Sequence, residues 1–264
     1  MPGPPCGFLT SRAILAFVST PRLPATRRPA HAAAGAASPV AASSTGAASG
    51  AGRAPEPRKG ARTRARVVAA ALKEASTRGL EAVSLAPLAA EAGLSKSGLF
   101  AHFGSKEALQ LEVLDAAEAA FRAAVWEPAQ ATAAGVARLR AVFDAWVGWS
   151  GRAGLPGGCP FVGAAAELDD QPGPVRDHLV ASQERWFRAL AGLAREAVRG
   201  GEFRADLDAR QFAADVLGAY LAYHWTARLL GHADAAGRAR CAFDALVDAG
   251  RSTASRSSAA TAFG

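Results

Sequence analysis

The sequence predicts an all-α fold, and three observations carry that reading. From residue 58 onward there is no strand-like alternation of apolar and polar side chains. Gly or Pro punctuates the chain at helix-length intervals. Ser84, Ser95 and Ser105 stand where helices would begin, and a Ser at that position can accept an otherwise unpaired backbone N–H. A first helix is expected over about 61–77, ending before Gly79. Ser84 opens a short second helix, with Leu85, Leu88 and Ala89 on its apolar side, that stops at Gly93. Ser95 caps a third over 96–103, and Gly104 ends it. Ser105 caps a fourth, with Glu107 in the first turn where an acid suits the helix dipole. That helix is expected to run to Trp126 and to stop at Pro128. Further helices are expected over 131–150, 161–168, 174–199, 208–230 and 233–249. Pro174 suits a first-turn position and Gly200-Gly201 a stop.

Composition and charge divide the chain into four parts. Residues 1–57 carry five Arg and one acid and, after Leu23, almost no large apolar residue. Such a segment buries too little surface to offset its ordering entropy, so it is expected to be a disordered tail or the product of an over-long gene start. Residues 58–104 form the first folded domain and 105–250 the second, with a disordered tail expected over 251–264. Residues 58–110 hold nine Lys or Arg against four acids, whereas 111–264 hold sixteen Arg against eighteen acids. The positive field is therefore concentrated in the N-terminal part, where it attracts polyanions. Cys6, Cys159 and Cys241 are widely spaced and odd in number, which predicts neither a disulfide framework nor a metal site. A cytoplasmic location without cofactor is expected, and no run of about 18 apolar residues predicts a membrane span.

Residues 84–103 read SLAPLAAEAGLSKSGLFAHF, two short helices around a turn at Gly93. Gly permits the positive φ of a sharp inter-helix turn, and the small Ala89 allows close helix approach. Leu85, Leu88, Leu94, Leu99 and Phe103 supply a shared core. This is the pattern of a helix-turn-helix, whose second helix lies in the DNA major groove. The run GLSKSGLFAHFGSKEAL, residues 93–109, resembles the signature of TetR-family regulators, and the resemblance extends over about 62–115. The stretch GCPFVGAAAELDDQPGPVRDHL resembles one subgroup of the family's regulatory domains.

The resemblance implies DNA contacts from Ser95, Lys96, Ser97, Gly98, Phe100 and His102 on and around the third helix. Ser84 and Lys106 would meet phosphates at the starts of the second and fourth helices, and Arg62 and Arg64 of the first helix the backbone. Phe100 and Ala101 replace the family's usual Tyr and His or Arg, which shifts weight from direct to shape readout.

In the second domain, the apolar residues of 208–230 go nearly all round their helix. A helix apolar on every face must be buried on every face, so one side is expected to meet a second subunit. The resemblance implies a homodimer on a palindromic operator, and a ligand pocket from Phe143, Trp146, Phe161, Trp186, Tyr220 and His224, with Trp149 and Phe187 nearby. Core packing explains each of these singly. Three functions remain open: a repressor released by a small apolar effector; a regulator switched through Cys159, whose thiol at a helix N-terminus would be acidified; and a helical small-molecule-binding protein or enzyme. No nucleophile–base pair or phosphate loop supports an enzyme, and Glu167, Asp169 and Asp170 read as solvent-facing acids.

Overall fold

A computed structural model describes residues 59–251 apart from residue 94; the side chains of Lys59, Glu91, Ala92 and Lys96 are also outside the description. The expected tail over 1–57, residues 252–264 of the expected tail over 251–264, and Leu94 accordingly lie outside the described residues, whereas Arg251 is described. The described elements are helical: α1 (Lys59–Arg78), α2 (Leu85–Ala92), α3 (Lys96–Phe103), α4 (Lys106–Phe121), α5 (Glu127–Ala129), α6 (Val136–Trp146), α7 (Trp149–Arg152), α8 (Pro160–Leu168), α9 (Pro174–Arg199), α10 (Ala209–Arg228) and α11 (Ala235–Gly250). A π-helical turn, Arg122–Trp126, joins α4 to α5. The sequence-predicted order and fold class hold. The expected 131–150 helix is two, because Val147 is extended and Gly148 takes a left-handed φ of 83°. Pro128 does not stop the fourth helix; it lies within α5, following the π turn.

α1 places Val67, Val68, Ala71, Leu72 and Ala75 on one buried stripe and leaves Arg62, Arg66 and Lys73 in solvent. It packs on α2, α4 and α8. α2 and α3 lie against each other through Leu88, Ala89, Leu99 and Phe103. α9, α10 and α11 pack in sequence, with α6 against α9 and α11. Phe143 of α6 stacks on Phe243 of α11 with centroids 4.3 Å apart. An isolated antiparallel bridge, Phe203 to Arg251, closes the end of α11 onto the turn after α9.

Two contacts join α8 and the loop before it to α1 and the turn that follows α1. Gly157, in the loop before α8, donates its N–H to Ser76 Oγ of α1 at 3.2 Å, so closely that a Cβ on Gly157 would overlap the Ser76 carbonyl. Glu167 of α8 accepts the Glu81 N–H at 3.0 Å and lies over Gly79, where a Cβ would collide with its carboxylate. Glu167 is thus an inter-domain ligand rather than the solvent-facing acid expected from sequence. Its 86-residue separation from Glu81 gave no local signal.

Candidate functional site

The α2–α3 unit forms because its turn residues suit the geometry. Gly93 closes α2 in the left-handed region, φ 66° and ψ 33°. Ser95 Oγ accepts the Gly98 N–H at 3.0 Å and meets Ser97 Oγ at 3.1 Å, which fixes the start of α3. Ser105 does the same for α4 through the Ala108 N–H. Ser84 occupies the N-cap position of α2, but its hydroxyl makes no capping bond, a departure from the expected cap.

With Leu99 and Phe103 buried, α3 turns Ser97, Phe100 and Ala101 outward, and Phe100 is 54% exposed. Phe100 thus lies outside the packed core of the two-helix unit. Gly98 is half-buried beside Ser95 Oγ. Lys96 begins α3, but its side chain lies outside the described residues. His102 is half-buried beside Gly60 of α1.

Two basic residues are engaged inside the protein. Arg64 donates to the Glu112 carboxylate and to the His102 carbonyl, and its guanidinium lies over the Phe103 ring, 4.8 Å from the centroid. The Glu112 hydrogen bond raises its pKa further. Arg64 therefore clamps α1 to α3 and α4, a role within the protein that the sequence did not foretell. Its side chain is drawn to the Glu112 acid and the Phe103 face of its own core. Lys106 Nζ donates to the Glu81 carbonyl at 2.6 Å and lies 3.1 Å from its carboxylate. Gln110 also donates to Glu81, and these two hydrogen bonds, Gln110's first, hold the Glu81 carboxyl below its usual range. Lys106 is thus a staple between α4 and the α1–α2 turn; a phosphate at this helix start would have to share it. Arg62 remains on the exposed side of α1.

The second domain contains a cavity of about 570 Å³. Trp146, Phe161, Trp186 and Tyr220, four of the expected pocket residues, line it. Phe143 and His224 do not: Phe143 is taken up by its stack on Phe243, and His224 lies against Gly158. Burial lowers the His224 pKa, with a further contribution from Arg228, so the imidazole is held neutral. Trp149 and Phe187 are not in the lining either. The sequence missed Phe121 and Trp126. In an unbroken α-helix, residues five apart point about 140° from each other. The wider π turn between these two brings both to one cavity.

Cys159 is free, buried and part of the cavity wall. Burial raises its thiol pKa, against smaller lowering effects from neighbouring donors. The acidified thiol expected from the helix N-terminus is corrected: desolvation of a thiolate outweighs the pull of the α8 N-terminus.

The geometry, a two-helix unit with an outward face joined to a helical domain with a cavity, now has a counterpart in known proteins. Residues 67–113 match the model of bacterial regulatory proteins of the tetR family, and residues 135–243 match the tetracyclin repressor-like C-terminal domain. The chain belongs to the TetR family. A TetR transcriptional regulator from Chloroflexus aurantiacus is 28% identical, with a TM-score of 0.62, 73% of this chain covered and 96% of that one. A TetR-family regulator from Cytophaga hutchinsonii is 19% identical, with a TM-score of 0.66 and coverages of 75% and 98%. The regulator AibR, crystallised with isovaleryl coenzyme A and operator DNA, is 22% identical, with a TM-score of 0.52 and coverages of 62% and 85%. A comparison with curated proteins found no match. As a TetR-family member the chain is a DNA-binding transcriptional regulator, not an enzyme. Among the described residues, no helix is long and apolar enough to cross a membrane, and no three metal-ligating side chains converge.

Proposed function

We propose that this TetR-family protein is a ligand-responsive repressor. It binds a palindromic operator as a homodimer and is released when a small, largely apolar effector enters the cavity. One observation carries the reading. The loop whose Cys159 lines the cavity presents Gly157 to α1 of the DNA-binding domain two residues earlier. A ligand shifts a conformational equilibrium only by its difference in affinity for the two states. A cavity wall that also supports α1 gives such a difference a short route to α2 and α3. AibR, with its coenzyme A thioester and operator DNA, offers a precedent on this fold. Exposure supports a DNA-facing set of Ser97, Phe100 and Ala101 on α3, the helix-start Ser95 and Arg62 on α1, with the half-buried Ser84 at the start of α2. Lys96, Gly98, His102 and Lys106 join it on the family resemblance.

The dimer is supported by α10 and its C-cap, where Leu221, Trp225 and Leu229 recur every four residues along one side and are all exposed in the single chain, Trp225 by 62%. An apolar stripe of this kind marks an interaction site. Sedimentation at micromolar concentration tests it. The wild type is expected at about twice the 26.9 kDa chain mass. Because Trp225 is not in the core, Trp225→Glu is expected to sediment as a monomer with an unchanged helical circular dichroism spectrum. A monomeric wild type would contradict the proposal.

A further inference from the structure

We propose that the cavity's ligand is a planar aromatic monoanion, its rings against the aromatic lining and its carboxylate at Arg122. This rests on the reading of the cavity as the effector site and adds the chemical class of the effector. Three features point to it.

The walls are aromatic and mutually perpendicular. Trp186 meets Phe121 at 4.8 Å and 85°, Trp146 at 5.0 Å and 84°, and Trp126 at 6.3 Å and 83°. Walls at right angles offer a flat ring one face to stack on and another to meet edge-on, both favoured arrangements of aromatic quadrupoles. The interior is also closed to solvent where it is most apolar: Trp146, Phe161 and Tyr220 are buried, whereas Arg122, Arg185 and Leu221 are exposed at the rim.

The charges at the rim do not cancel. Glu118, Arg122 and Arg185 are the charged lining residues. Arg185 closes on Glu118 with two bonds of 2.8 and 2.9 Å, a neutral pair. Arg122 makes no ion pair among the described residues. A guanidinium in this position presents a planar fork to a carboxylate. An aromatic cage also attracts cations, but here Glu118 is already neutralised and Arg122 repels a second positive charge. The volume of about 570 Å³ admits a fused bicyclic or tricyclic ring with room for the acid group.

Calorimetric titration of the full chain with 2-naphthoate, 2-naphthamide and 2-naphthylmethylammonium separates the possibilities without DNA. The carboxylate is expected to bind tightest, about fivefold over the amide, the ratio for one solvent-screened ion pair. Arg122→Gln should bring that ratio near one, and Arg122→Lys should keep part of it. Equal binding of acid and amide, tightest binding of the ammonium, binding of none, or a ratio indifferent to Arg122→Gln would each overturn the proposal. If none binds while operator binding persists, the aromatic anion is wrong and the DNA-binding reading stands.

Discussion

Gly157→Val is expected to lower the thermal midpoint by roughly 6–12 °C, corresponding to about 3 kcal/mol. The new side chain would occupy the space of the Ser76 carbonyl, which is backbone and cannot rotate away. The loop before α8 would have to retreat from α1, losing the Gly157 N–H to Ser76 Oγ bond. Gly163→Ala is the matching control: Gly163 lies within α8, and a Cβ there meets nothing within 4 Å. It is expected to be neutral or stabilising by up to about 1 kcal/mol, since Gly is a poor helix former. Thermal unfolding followed by circular dichroism measures both. An unchanged midpoint for Gly157→Val would mean that the two domains do not meet at Ser76.

Trp146→Ala is expected to cost about 3–5 kcal/mol in chemical denaturation. Trp146 is buried, stacks on Tyr220 with centroids 4.0 Å apart and 12° between planes, and meets Trp186 and Phe121 edge-on. Its removal would take one wall from the cavity and one partner from each of three aromatic rings, a void the neighbouring helices cannot close by side-chain rotation alone. Trp146→Phe should recover part of the loss, because a smaller ring keeps a stacking face toward Tyr220. A loss below about 1 kcal/mol for Trp146→Ala would contradict the tight packing of this region.

What was legible in the sequence was what is local. Ser95, Ser105, Gly93 and Gly104 each act within one turn, so the α2–α3–α4 boundaries could be read from residue type alone. α9 was placed residue for residue because Pro174 opens it and Gly200-Gly201 closes it. The apolar ring of α10 correctly foretold an uncovered face. Partners across long separations were invisible. Arg64 read as a surface base until its hydrogen bonds to Glu112, 48 residues on, placed it in the α1–α4 seam. Lys106 was located correctly at a helix start, but its contact with Glu81 could not be foreseen. The cavity was half-seen: the family resemblance implied Trp146, Phe161, Trp186 and Tyr220, which line it. The π turn that adds Phe121 and Trp126 has no sequence signal, and Phe143 and His224 were indistinguishable from lining residues.

The most direct test of the account is a salt-dependent titration of the purified protein on the duplex it selects from random DNA. The account predicts enrichment of a two-fold symmetric site, with half-sites about one helical turn apart. It also predicts binding at least about a thousandfold tighter than to random duplex, and an affinity that falls steeply and linearly in log–log form with salt, with a slope of about −4 or steeper. No enriched sequence, or equal affinity for the selected and random duplexes across the salt range, would contradict it.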